Sequence, residues 1–243
     1  MSKNTLKDPK VIVALDFVNQ QDAEAVIGKL KPENCRLKVG ITLFTQLGSE
    51  WIQKIQNQGF EIFLDLKFHD IPFQVAGACY SAAELGVWMM NVHALGGFKM
   101  LKAAKDSVAK YEQQYGRRPY IIGVTLLTSL SQEEISDFGL TGPIEENVMS
   151  LAGLCYEAGL DGVVCSAQEV EKIKSTLGQD FMCVTPGIRL AEDACHDQSR
   201  IVTPERAIRM GSDFLVMGRS ITEAGQPVSK LQSINEGIWN ELD

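Results

Sequence analysis

The chain carries the sequence EIFLDLKFHDIP at residues 61–72, in which a short apolar run ends in closely spaced charges. The segment from Glu61 to Leu66, which is mostly apolar, has the length and composition of a buried β-strand. Similar runs recur along the 243 residues and predict eight strands in all. They are Lys10 to Leu15, Arg36 to Gly40, Glu61 to Leu66, Met89 to Ala94, Tyr120 to Leu126, Gly162 to Cys165, Met182 to Thr185 and Asp213 to Met217.

Segments of helical composition separate these strands. The predicted helices include Gln21 to Leu30, Leu43 to Gln58, Ala76 to Leu85, Lys99 to Tyr115, Ile144 to Ala158, Ala167 to Leu177 and Pro204 to Met210. Helices commonly end at a glycine. Four glycines stand where a predicted helix should end, a few residues before the next strand: Gly59, Gly86, Gly159 and Gly211.

Strands that alternate with helices pair in parallel and are buried on both faces. Eight such units predict an α/β protein with one domain over residues 1–243, a (β/α)8 TIM barrel. A doubly wound open sheet is the structural alternative. That fold usually carries G-x-G-x-x-G after its first strand, where this chain reads Leu15-Asp16-Phe17-Val18.

Composition narrows the possible functions. Lys and Arg total 23 against 31 Asp and Glu, which gives a net charge of −8. No general attraction to nucleic acid is expected, so an anionic substrate needs a local cluster of cations. We also expect a cytoplasmic protein without a membrane span, because no signal core or long apolar run is present. The six cysteines form no C-x-x-C pair and are expected to be free structural thiols.

Charged residues stand at the ends of the first three predicted strands. Asp16 closes the first strand, Lys38 lies in the second, and Asp65 and Lys67 end the third. Side chains two apart on a strand point the same way, so Asp65 and Lys67 should share a face with Phe63. Active sites of such barrels lie at the C-terminal strand ends. A structural network of ion pairs is the alternative interpretation.

The pattern D-x-K-x-x-D-I-P, here Asp65 to Pro72, resembles the signature of the orotidine 5'-phosphate decarboxylase family. Further blocks agree with the family in order between residue 11 and about residue 222. They are Ala14-Leu15-Asp16, Leu37-Lys38-Val39-Gly40, Val124 to Ser129, Thr185 to Arg189, Asp197 to Arg200 and Val216 to Ile221. The resemblance implies decarboxylation of orotidine 5'-phosphate to UMP and carbon dioxide, without a cofactor or a metal.

The resemblance also implies catalytic roles. Lys67 would be the general acid that protonates the pyrimidine carbon, Asp65 would lie beside the substrate carboxylate, and Lys38 would hold the array together and contact the substrate. In the family the last Asp of the motif reaches into the neighbouring subunit's site. Asp70 and Ile71 are therefore expected to cross a two-fold interface and reach the partner's site in a homodimer.

The remaining expected substrate contacts follow the same resemblance. Asp16 resembles the family residue that binds the ribose hydroxyls, and Thr128 and Gln198 resemble those that contact the pyrimidine and the phosphate side. Many barrels bind phosphate in the loops after strands seven and eight. The residues of this chain that fall there are Arg189, Gly218 and Arg219.

Two other functions stay open from the sequence. One is a magnesium-dependent sugar-phosphate decarboxylase or aldolase-type barrel of the same superfamily, in which similar carboxylates hold the metal. The other is a phosphate-binding barrel without catalysis. His69, His93 and His196 match no metal spacing and are expected to pack or form hydrogen bonds.

Overall fold

Eight parallel strands close into a barrel in which each strand pairs with its neighbours along the chain and β8 pairs with β1. The structure is a computed structural model that describes residues 8–137, 139–190 and 202–242. The predicted (β/α)8 fold is confirmed. The strands are β1 Val11–Ala14, β2 Arg36–Gly40, β3 Ile62–Phe68, β4 Met89–His93, β5 Tyr120–Val124, β6 Gly162–Val164, β7 Met182–Thr185 and β8 Phe214–Met217.

Helices follow the strands, and a 3-10 turn at Ala94–Gly96 follows β4. The helices are α1 Gln20–Ile27, α2 Ile41–Gln56, α3 Pro72–Glu84, α4 Gly97–Tyr115, α5 Gln132–Asp137, α6 Ile144–Glu157, α7 Ala167–Leu177, α8 Pro204–Arg209, α9 Arg219–Thr222 and α10 Pro227–Leu242. Three of them, α5, α9 and α10, are absent from the predicted set. In addition, α2 is kinked at Gly48, whose φ is 69°.

Apolar side chains fill the barrel below its C-terminal mouth. Alternate residues of the strands point inward and pack there, among them Ile12, Phe63 and Val184, while their neighbours pack outward against the helices. At the opposite end the buried Arg36 guanidinium lies 4.1 Å from the Trp88 ring and donates a 2.7 Å hydrogen bond to Glu61. The barrel is therefore packed inside, and its open space lies at the mouth.

Strand β3 departs from regular pairing where it reaches that mouth. Leu64 pairs with Met90 and Phe68 pairs with Val92, so three β3 residues, 65–67, stand opposite the single β4 residue Asn91. Such a bulge redirects side chains and is common beside active sites. It contains both Asp65 and Lys67.

None of the helices in the described part of the chain is both long and apolar enough to span a membrane.

Candidate active site

A cavity of about 700 Å³ opens at the C-terminal ends of the barrel strands. Its floor is formed by inward-facing side chains of the strands, including Ala14, Phe63 and Val216. Asp65 and Lys67 line the same cavity as Phe63. The cavity is therefore apolar below and charged on the side formed by β1, β2 and β3.

Four charged side chains form one connected array on that side. Lys38 Nζ donates a hydrogen bond of 2.9 Å to Asp16 Oδ1 and lies 3.2 Å from Asp65 Oδ2. Lys67 Nζ donates a hydrogen bond of 2.6 Å to Asp65 Oδ1. The order is thus Asp16, Lys38, Asp65, Lys67, with the signs of charge alternating along it.

The array keeps its two buried members charged. Burial lowers the pKa of Lys38, but the negative charges of Asp65 and Asp16 outweigh this effect and the pKa is raised overall. Burial raises the pKa of Asp65, but the positive charges of Lys38 and Lys67 outweigh it and the pKa is lowered overall. Opposite charges at these distances stabilise each other's charged forms.

Asn91 of β4 completes the array and was missed in the sequence. Its side chain is fully buried, and its Nδ2 donates a 2.7 Å hydrogen bond to Asp65 Oδ1. Its Oδ1 accepts a 2.8 Å hydrogen bond from the backbone N–H of Lys67. Among the described residues Lys67 is the one non-glycine with positive φ, at 50°. Backbone strain of this kind costs about 1–3 kcal/mol and clusters at active sites.

The predicted phosphate residues line the cavity at the ends of β7 and β8. Arg189 follows β7, Gly218 follows β8, and both line the cavity together with Arg219 and Thr128. Arg219 begins the short helix α9 and does not lie in a loop. A Cβ on Gly218 would lie 3.7 Å from Ala14 Cβ and 4.0 Å from Asp16 Oδ2, which is ordinary van der Waals contact, so Gly218 lies beside the end of β1. Lys67 and Arg219 thus share one cavity.

Two predicted residues lie outside the cavity of their own chain. Asp70 and Ile71 are exposed beyond the end of β3, where Asp70 Oδ1 accepts a 2.6 Å hydrogen bond from the Ile71 N–H. Ile71 is 63% exposed, and the neighbouring Phe73 is 82% exposed. Gln198, together with Cys195 and His196, lies outside the described residues.

The histidines His69 and His93 stack on each other at the rim, with ring centroids 5.3 Å apart. Burial lowers the pKa of His93, and the nearby His69 and Lys67 lower it further. Within residues 8–137, 139–190 and 202–242, no three side chains of His, Cys, Asp or Glu come together to hold a metal ion. The two carboxylates of the array, Asp16 and Asp65, instead contact lysines.

Comparison with known proteins agrees with this geometry. A model of the orotidine 5'-phosphate decarboxylase / HUMPS family matches residues 9–234. The chain belongs to this family. It is 52% identical over 238 residues to an orotidine 5'-phosphate decarboxylase of Hydrogenovibrio crunogenus, covering 98% of this chain and 99% of the relative. A protein of the same name from Nitrosococcus oceani is 48% identical over 235 residues, covering 97% of this chain and 100% of the relative.

Solved structures show the same fold. An orotidine 5'-phosphate decarboxylase from Lactobacillus acidophilus superposes with a TM-score of 0.85 at 39% identity, covering 95% of this chain and 99% of that one. An uncharacterized conserved protein from Geobacillus kaustophilus superposes with a TM-score of 0.82 at 36% identity, covering 94% and 99%. The family resemblance inferred from the motifs is confirmed.

Proposed function

We propose that this chain is a carboxy-lyase that converts orotidine 5'-phosphate to UMP and carbon dioxide in pyrimidine biosynthesis. One observation carries the proposal: a single cavity is lined by a lysine ammonium on a largely buried carboxylate and, at the ends of β7 and β8, by two arginines. An anionic phosphate fits beside the arginines, and the reacting ring fits beside the lysine. The family membership and the names of the relatives support the same activity.

The substrate is held through its phosphate and its ribose. Arg189 and Arg219 bind the phosphate, since a guanidinium binds phosphate oxygens in bidentate fashion. Asp16, which lines the cavity between Gly218 and Lys38, accepts hydrogen bonds from the ribose hydroxyls. Thr128 contacts the pyrimidine from the wall of the cavity. Gln198 is assigned to the phosphate side by its place in the family pattern.

The reaction breaks the bond between the ring and its carboxylate. The electron pair stays on the ring carbon, carbon dioxide leaves, and Lys67 delivers a proton to that carbon. The ammonium stabilises the developing negative charge before it gives up the proton. A substrate carboxylate about 4 Å from Asp65 would be repelled by roughly 4 kcal/mol at an effective dielectric near 20, and loss of carbon dioxide relieves this repulsion.

The proposed step uses no cofactor and no metal, which separates it from the magnesium-dependent sugar-phosphate reactions of the superfamily. Those reactions need carboxylates that are free to coordinate the ion. In this cavity Lys38 occupies an oxygen of each of the two carboxylates, Asp16 and Asp65, and Lys67 occupies the other oxygen of Asp65. These lysine contacts favour electrostatic stabilisation of an anionic transition state over binding of a metal ion.

The proposal includes a homodimer of single-domain barrels in the cytoplasm. Asp70 and Ile71 extend from β3 beyond their own cavity and reach the partner's site. The exposed apolar side chains of Ile71 and of the neighbouring Phe73 favour such a contact. The five cysteines of the described chain are free and buried, which fits a reducing compartment.

The test is a decarboxylation assay with orotidine 5'-phosphate, monitored through the change in ultraviolet absorbance, with and without a chelator. We expect full activity in both. Lys67→Ala should still bind UMP but lose turnover by about 100-fold or more, as removal of a general acid does. The control is Lys54→Ala, because Lys54 is exposed and pairs with Glu24 outside the cavity. Activity that disappears with chelator and returns with Mg²⁺ would overturn the proposal.

A further inference from the structure

The bulge in β3 leaves the backbone of the reactive lysine without the regular partner that a β-ladder supplies. Residues 65–67 stand opposite Asn91 alone, so the backbone atoms of β4 are too few to match those of β3. The N–H of Lys67 bonds instead to the side-chain oxygen of Asn91, at 2.8 Å. The Asn91 side chain thus supplies the hydrogen-bond acceptor that the backbone of β4 does not provide.

The other end of the same amide contacts the charged array. Asn91 Nδ2 donates to Asp65 Oδ1 at 2.7 Å, and Lys67 Nζ donates to that same oxygen at 2.6 Å. One carboxylate oxygen therefore receives both the amide and the ammonium. Through its two ends Asn91 fixes the backbone of Lys67 and the carboxylate that holds the Lys67 side chain.

We propose that Asn91 is a positioning residue that locks Lys67 and Asp65 into one rigid unit, and that catalysis depends on both ends of its amide. The inference rests on the function proposed above, in which Lys67 protonates the ring carbon. An apolar side chain at this position would fill the space but would leave the Lys67 N–H and one bond to Asp65 unmade. Lys67 could then leave its positive φ, and its ammonium would move from the reacting carbon.

The first measurement is steady-state kinetics of Asn91→Ala. A displacement of about 1 Å at a reacting group can lower the rate about 100-fold, and we expect a fall of that size in kcat. Because Asn91 does not line the cavity, KM should change by no more than about threefold, since uniform substrate binding is retained. A loss confined to kcat marks positioning of the reacting group.

The second measurement is the pH profile of Asn91→Asp. When the introduced carboxyl is protonated, its O–H can donate to Asp65 and its carbonyl oxygen can accept from the Lys67 N–H, as the amide does. When it is ionised, two carboxylates share one site and repel each other, which raises one of their pKa values. The kcat of this variant should therefore recover as the pH falls, through an ionisation that the native enzyme lacks.

The control is Asn235→Ala. Asn235 is also buried, and its Nδ2 donates a 2.8 Å hydrogen bond to the Asn34 carbonyl oxygen far from the cavity. This variant should lower Tm and leave kcat unchanged. The inference is overturned if Asn91→Ala loses only Tm while kcat stays within about threefold of native, a change too small for lost positioning.

If Asn91→Ala does not fold, an Asn91→Asp profile with no additional ionisation overturns the inference instead. A native chain without decarboxylase activity would be a different result, because it would overturn the proposed function itself.

Discussion

Replacing Lys38 with methionine should destabilise the protein far more than replacing an exposed lysine. Lys38 Nζ lies 3.2 Å from Asp65 Oδ2, and the two side chains are only 10% and 12% exposed. At that separation and an effective dielectric near 20, the attraction is about 5 kcal/mol. Removing one member of a buried pair typically costs about 3–5 kcal/mol when the other charge is left without a partner. Asp65 keeps its bonds to Lys67 and Asn91, so the loss should be nearer the about 1.5–3 kcal/mol of one hydrogen bond to a charged group. We expect a loss of that size in the free energy of unfolding at pH 7.

The loss should depend on pH in a defined direction. The lowered pKa of Asp65 contributes stability above its unfolded value of about 3.9, and that stability is lost as the pH falls through the folded value. Without Lys38, Asp65 loses one of the positive charges that lower its pKa, so the variant's carboxyl is protonated at a higher pH than the native carboxyl. The raised pKa of Lys38 affects stability only in the alkaline range, above an unfolded value of about 10.4. The gap between native and variant should therefore narrow below about pH 4, and be smaller at about pH 3 than at pH 7.

Urea unfolding followed by tryptophan fluorescence, at both pH values, measures this difference. The matched control is Lys54→Met. Lys54 contacts Glu24 at 2.8 Å, a shorter distance, but the two side chains are 58% and 37% exposed. An exposed pair is worth less than about 1 kcal/mol. Equal losses in the two variants, or a Lys38→Met gap that stays constant with pH, would refute the reasoning from burial.

Two further variants test the phosphate residues and the dimer. Arg219→Ala should raise KM by about 10- to 100-fold, because a hydrogen bond to a charged group is worth about 1.5–3 kcal/mol. The control is Arg209→Ala, which removes an arginine paired with Glu241 and should leave KM unchanged. Unchanged KM in Arg219→Ala would contradict the phosphate assignment. Phe73→Asp should yield a monomer of low activity in light scattering and assay, because a charge replaces an exposed aromatic ring. A fully active dimer would contradict the proposed interface.

The strands and most helices could be predicted because their signals are local. The glycines predicted to end helices, among them Gly59 and Gly211, have φ values of 97° and 98° that L side chains rarely adopt. Such a glycine ends a helix through its own backbone conformation, so the signal can be recognised without knowing the tertiary contacts. Gly48 has a φ of 69° as well, but it lies inside α2, where the helical pattern continues on both sides. Its kink was therefore missed.

The charged part of the site was also predictable, for a topological reason. A closed parallel barrel brings all C-terminal strand ends to one mouth, so charges at the ends of β1, β2 and β3 must meet there. By that rule Asp16, Lys38 and Asp65 are expected to lie together, and the contacts of 2.9 and 3.2 Å agree with it. The same rule predicts that Arg219, after β8, lies at that mouth, and it lines the same cavity as Lys67. The contacts of Asp70 with a partner depend on a second chain and stay a prediction.

Asn91 was missed because its contacts depend on the register between two strands. The sequence did contain a signal, since Met-Met-Asn-Val-His places one amide inside an otherwise apolar strand. A buried amide must form hydrogen bonds, so this residue belonged with the charged strand ends from the start. Its partners could not be inferred in the same way, because regular pairing would set Asn91 opposite a single residue of β3. Only the bulge sets it opposite residues 65–67, where one side chain reaches both Asp65 and the backbone of Lys67.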